Sequence, residues 1–481
     1  MRAEFPLADR HAMNLPVHET STPISSHGDA KLRPSAPRFV SSFATVLGGQ
    51  IACAVAALGI EVCYARLIGP AGRGQIGLCM MVIAIGMAGA GLGGEVPIMI
   101  WAANQRKTLH AWLPAVWFWG LIGCVAFSCF WTALYWKWHP SFLRGITPTL
   151  AYLVLAVVPP YVFLQFLLAL LTGLERFGER AAISLVLQVV ELGSVLVLAL
   201  LVARTAEMAI VGNLAGIVLA GCVAAFVLRK PLQNGWRLGP AADKLGASLS
   251  LGMRGVSSNL AMFATYRLDV FVVNYFLSPA QVGFYALGVV ISESLWQIPQ
   301  AVAVALAPRT ARTIGEAGEQ FTCFVTRQVF LLACTMAGIM ALTSPLVIPL
   351  IFGARFGPSV PVIWWILPGT AAFAVGKVMA ADLTARGKPE YNSMIAIATA
   401  ALTVLLDFAL IPRMGIRGAA LASSITYFLQ TFMIGTALKR VIKVSWRTLL
   451  IPAYSEIVHY RDAARRGKAW LTSAIVPKNR I

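Results

Sequence analysis

Apolar runs of about 20 residues recur along almost the whole chain, separated by short polar links. Twelve can be drawn, at about 40–65, 75–101, 112–135, 149–173, 182–203, 207–228, 249–276, 281–307, 328–352, 360–384, 391–411 and 416–438. Each, as a helix, covers a hydrocarbon core of about 30 Å. Backbone polar groups in lipid must be satisfied within the segment, which makes helices the expected form of such runs. Gly or Pro marks most of the links, as at Gly69-Pro70, Ser278-Pro279, Gly357-Pro358 and Lys388-Pro389. Only the polar stretch from Arg229 to Gly246 is long enough to separate two bundles. The pattern predicts an all-α polytopic membrane protein. Residues 39–230 hold six spans, 231–247 form a cytoplasmic linker, and 248–440 hold six more.

The tails differ from this pattern. Residues 1–38 carry His, Ser, Pro and mixed charge with no apolar block, and read as a disordered cytoplasmic tail rather than a signal peptide. Residues 441–481 read as a second cytoplasmic tail. Within it Trp446 to Tyr460 either lies along the interface or is unstructured.

An internal repeat underlies the two bundles. At an offset of 209 residues, Pro70 meets Pro279, Ala71 meets Ala280, Gly74 meets Gly283 and Leu78 meets Leu287. The same offset pairs Leu174 with Leu383, Gly178 with Gly387, Arg204 with Arg413 and Gln50 with Asn259. Six spans separate the copies. Both halves therefore insert with the same orientation, related by an axis along the membrane normal, with a cavity expected at their seam.

Composition agrees: 58 % of residues are hydrophobic and 12 % charged, far too few charges for a soluble chain. The net charge of +19 resembles a nucleic-acid signature, but its distribution argues against one. The tails and the even-numbered links carry about 28 Lys and Arg, the odd-numbered links about 8. That asymmetry predicts both termini in the cytoplasm and a topological role for the basic residues. The eight cysteines are scattered and read as small core residues, and the six histidines lie outside the apolar runs, so neither a metal nor another cofactor is expected. Tryptophans around the ends of the second and third spans, among them Trp101, Trp112, Trp131 and Trp136, read as an interfacial belt.

Charges inside the apolar runs are the candidate chemistry, since each costs roughly 2.5–3.5 kcal/mol at a helix centre. Arg254 and Arg267 lie in the seventh run, about 20 Å apart along a straight helix. A guanidinium stays charged when desolvated and forks onto paired oxygens, which suits a phosphate. Arg254, Arg267, Asp269 and Lys377 are therefore candidates for substrate binding. Glu293, aligned with Gln297 and Gln300 on one helix face, is a candidate for ion coupling together with Glu191 and Glu61. Asp382 and Asp407 fall close to expected interfaces.

Five stretches then carry a family resemblance: YARLIGPAGRGQIGL (64–78), AGAGLGGEVP (88–97), YRLDVFVVNYFLSPAQVGFYALGVVISE (266–293), PQAVAVALAPR (299–309) and IPRMGIRGAALASSITYF (411–428). In this order they resemble the Wzx-type oligosaccharide flippases of bacterial polysaccharide biosynthesis. That superfamily also holds MATE-type multidrug extruders and lipid II flippases. The resemblance spans about residues 39–440, and the family's arginine–x–aspartate matches Arg267 and Asp269. It implies a MATE-like two-lobed fold in the bacterial inner membrane and no enzymatic step. The implied substrate is an undecaprenyl-pyrophosphate-linked oligosaccharide, with membrane lipids as further partners and a polymerase and export machinery downstream. A cation-coupled MATE-type drug exporter is the alternative. A membrane glycosyltransferase is disfavoured by the short outer links, which carry no paired carboxylates.

Overall fold

The structure is a computed structural model. It describes residues 36–104, 109–138, 142–229, 268–297, 316–442 and 444–450, with a few isolated positions between 246 and 253 and at 299. The terminal stretches 1–35 and 451–481, most of the inter-bundle linker, Arg254, Arg267, Asn259 and Gln300 lie outside the described residues.

All regular structure among the described residues is helical. The first half holds α1 (Ala36–Cys63), α2 (Gly69–Ala90), α3 (Glu95–Asn104), α4 (Leu109–Trp138), α5 (Pro148–Gly173), α6 (Phe177–Leu201) and α7 (Ala206–Val227). The second holds α8 (268–276), α9 (Pro279–Glu293), α10 (Glu316–Phe352), α11 (Ser359–Ala385), α12 (Pro389–Met414), α13 (Ile416–Ile442) and the short α14 (Trp446–Leu450). Nine helical stretches among the described residues are long and apolar enough to cross a membrane.

The first of these, Ala52–Ala90, takes in parts of the first two expected spans. The two parts are joined by a π-helical turn, Tyr64–Ile68, and by Gly69 at a φ of +86°. Arg73 on α2 reaches Glu61 on α1 with two hydrogen bonds. In one straight helix those residues would stand about 18 Å apart, so the chain must fold back at Gly69. Backbone at positive φ is open to glycine and strained for other residues.

The second expected span is broken rather than continuous. α2 ends at Ala90, the turn 91–94 carries Leu92 and Gly93 at positive φ, and α3 restarts at Glu95. Backbone freed at membrane depth is tolerated only where protein or a water-filled cavity covers it. Here Gly94 packs on Val116 and Phe166, and α3 packs on α4 and α5. After Glu293, α9 gives way to a 3₁₀ turn, Ser294–Trp296, with helical backbone again at Gln297.

Small residues set the helix spacing, as lipid-embedded helices require in the absence of a hydrophobic drive between them. In the first half α6 packs on α7 and α1, and α5 on α7, α3 and α2. In the second, α13 packs on α11 and α12. A methyl added at Gly369 of α11 would sit 2.4 Å from Ser424 of α13, and one at Gly376 would sit 2.8 Å from Thr431 Oγ1. The halves meet chiefly where α2 crosses α9. That crossing obeys the repeat: a Cβ on Gly74 would lie 1.8 Å from the Pro279 carbonyl oxygen, and one on Gly283 would lie 2.1 Å from that of Pro70.

α14 is ordered against the second half. Trp446 stacks on Phe432 with ring centroids 5.3 Å apart, Leu449 is fully buried, and the Arg327 guanidinium donates to the Thr448 carbonyl. The start of the C-terminal tail is thus a docked helix.

Candidate functional site

Two clusters of buried acids stand out, one in each half. In the first, Glu61 on α1 and Glu191 on α6 are brought together around the π-helical turn. Arg73 donates Nε to Glu61 Oε2 at 2.8 Å and a terminal nitrogen to Oε1 at 2.9 Å, so the pair is bidentate. The extra residue of the π turn aims the Tyr64 hydroxyl across to Glu191, where it donates to Oε1 at 2.8 Å. The buried Asn213 of α7 stands beside the same carboxylate. Arg73 is only 5 % exposed, although its place in a Gly-rich link gave no hint of burial.

In the second half, Asp269 on α8 is buried. Its Oδ1 accepts from the Val270 backbone amide at 2.7 Å. Its Oδ2 accepts from the Tyr285 hydroxyl of α9 and from Ser423 Oγ of α13 at 3.4 Å. Asp407 on α12 lies within electrostatic reach of both Asp269 and Tyr285. It is 0 % exposed, and neither carboxylate oxygen has a hydrogen-bond partner among the described residues. A buried, unpaired carboxylate is among the costlier features a fold can carry. Sequence reasoning set Asp407 aside as near an interface; packing of α12 encloses it completely. Its signal lay in the repeat. Glu191 aligns with Ala400, and Asp407 follows seven residues, two helical turns, further along the same face.

Lys377 of α11 occupies a separate aromatic box. Its Nζ stands 4.6 Å from the Trp296 ring centroid and 5.4 Å from that of Phe373, with Tyr427 stacked on Phe373 at 5.2 Å. Glu293, at the end of α9, is within electrostatic reach of this ammonium. The ring faces hold a cation without neutralising it. Asp382 is buried and held by Arg386 Nε at 2.7 Å and Thr322 at 3.0 Å. Of the candidates, then, Glu61 and Glu191 come together, as do Lys377 and Glu293, while Asp269 joins Asp407.

A family model described as "Polysaccharide biosynthesis protein" matches residues 63–361, more than half of the chain. The chain belongs to this family. The matched stretch takes in Arg73, Glu191, Asp269 and Glu293 and stops short of Lys377 and Asp407. No curated protein matches this member of the polysaccharide biosynthesis family in sequence. Solved structures match its fold over most of their length. The lipid II flippase MurJ in an inward closed conformation aligns with a TM-score of 0.66 at 13 % identity, covering 82 % of this chain and 87 % of that one. An inward-facing multidrug resistance MATE family transporter of the MOP superfamily aligns at 0.63 and 15 % identity, covering 81 % and 94 %. An outward-facing MATE family transporter aligns at 0.57 and 15 % identity, covering 83 % and 94 %. The family protein described here is accordingly a multi-pass membrane protein with the MATE and MurJ fold, as its motifs led one to expect.

Proposed function

We propose that this protein is a flippase for lipid-linked oligosaccharides in a bacterial plasma membrane. It would move undecaprenyl-pyrophosphate-linked repeat units from the cytoplasmic leaflet to the opposite one by alternating access between its two halves. The observation that carries this reading is membership of a polysaccharide biosynthesis family by a chain with a transporter fold. The physics of the substrate fits. Its lipid tail stays in the bilayer, and only the charged, sugar-bearing head needs a polar path, so no covalent step is required.

In this reading Arg254 and Arg267 receive the pyrophosphate, and Lys377, against the Trp296 ring, adds a third basic group. Fixed cations alone move nothing, because a site with equal affinity in both states shifts no equilibrium. Direction comes from Asp407: its carboxylate is buried with no hydrogen-bond partner among the described residues, and a proton or small cation entering there favours one arrangement of α8, α12 and α13. The asymmetry of Lys and Arg among the links supports cytoplasmic termini.

Deleting the gene tests the proposal. Lipid-linked repeat units are expected to accumulate on the cytoplasmic side while their synthesis continues, and the wild-type gene restores export. Arg267→Ala and Arg254→Ala are expected to restore little. Full rescue by both removes the arginines from the substrate site. The buried acids also suit a cation-coupled drug exporter. Resistance to cationic dyes on overexpression, with no polysaccharide defect on deletion, selects that reading instead.

A further inference from the structure

The two halves touch through bare backbone at both ends of α2. At its start Gly74 lies against Gly283, each glycine facing the carbonyl of the other half's proline. Beyond its far end, in the turn 91–94, a Cβ on Gly93 would lie 2.0 Å from the Gly252 carbonyl oxygen. One on Gly252 would lie 2.3 Å from that of Leu92. Roughly 25–30 Å of chain separates the two contacts, about the thickness of the hydrocarbon core. We propose that these glycine contacts are the two gates of the transporter, and that transport alternates between opening one and holding the other.

Contacts of this kind suit a gate. No side chain stands between the backbones, so the approach is either made in full or lost, and a rotamer change cannot absorb an added methyl. The two differ in strength. The first is reciprocal, made by repeat mates, and is braced by further bonds between the halves. The Arg66 guanidinium donates to the last carbonyls of α10, reaching Ile351 O at 2.7 Å and also Leu350 O. Asn274 donates to the carbonyls of Phe142 and Arg144 at 2.8 and 3.1 Å. The second contact has no repeat mate, since the positions equivalent to Gly93 and Gly252 are Val302 and Phe43, which carry large side chains. The gate at Gly74 and Gly283 is therefore the firmer, and the one at Gly93 and Gly252 opens first.

This inference rests on transport by alternating access but not on what is carried. Distances between genetically encoded spin labels test it in the full-length protein in lipid, with the eight native cysteines left in place. One label pair, at Lys137 and Arg355, reports the Gly74 end, and another, at Glu175 and Lys388, the opposite end; all four positions are exposed. Gly74→Ala or Gly283→Ala is expected to lengthen the first distance by several ångström and leave the second unchanged. Gly252→Ala is expected to do the reverse. Arg66→Ala, which leaves the glycines intact, is expected to shift the first distance in the same direction by less, and keeps the proposal open to failure if a glycine variant does not fold. Movement of the same distance by both classes of variant, or of neither by Arg66→Ala and Gly252→Ala in folded protein, overturns the gates. Because no substrate is present, a failed flippase assignment leaves this outcome unaffected.

Discussion

The two halves hold the same kind of feature under opposite electrostatic terms. In the first, Glu61 is paired with the Arg73 guanidinium and Glu191 accepts from the Tyr64 hydroxyl, so each glutamate has a donor within the fold. In the second, a pair of aspartates has hydroxyl donors on one member and, among the described residues, no hydrogen-bond partner on the other. The same helices of the repeat supply both: the first, fifth and sixth spans in one half, the seventh, eleventh and twelfth in the other. The contrast separates roles that a list of intramembrane charges cannot. A carboxylate gripped by guanidinium already has its counter-charge, whereas burial of an unpaired one is costly.

Four substitutions press on this comparison. The largest effect is expected from Asp407→Asn, which should abolish the dependence of transport on an imposed proton or sodium gradient in proteoliposomes. It should also leave thermal stability unchanged or raised, because an uncompensated site is removed. Persistence of gradient-driven transport in this variant would remove Asp407 from coupling. Next comes Arg73→Ala, which strands Glu61 and should destabilise the protein by about 3–5 kcal/mol, read as lowered resistance to thermal unfolding in detergent. Adding Glu61→Gln to it should recover part of that loss; no recovery would mean the pair is not a unit. Tyr64→Phe removes a donor to a buried carboxylate and should cost about 1.5–3 kcal/mol in the same assay. The smallest is Phe432→Leu, which removes the stack on Trp446 and should cost about 0.5–1.5 kcal/mol beyond lost area. In that variant, protease sensitivity near Trp446 should rise while transport is kept.

Much of the architecture was legible because lipid allows so few solutions. Run length gave the spans, Gly and Pro gave most of the links, and the offset of 209 residues predicted that Gly74 and Gly283 are equivalent, which the α2–α9 crossing bears out in space. Hydropathy was blind where an apolar run conceals a change of backbone. The break at 91–94 sits inside AGAGLGGEVP and reads as continuous span, and the π turn before Gly69 looks like more helix. The same blindness hid the site chemistry. Arg73 seemed a link residue because its partner is twelve positions away across a turn, and Asp407 seemed peripheral because position along a run says nothing about neighbouring helices. Polar residues in lipid acquire meaning from their partners, and partners are a matter of packing.

The glycine seam between α11 and α13 has a consequence for how these two helices move. Gly369 against Ser424 and Gly376 against Thr431 leave no slack between these helices, so they travel as a single strut. Ser423, which donates to Asp269, is part of that strut, and so is Lys377 in its ring of aromatics. A shift of α13 at Ser423 would therefore carry Lys377 with it in the same rigid step, with no chain of intermediate contacts between them.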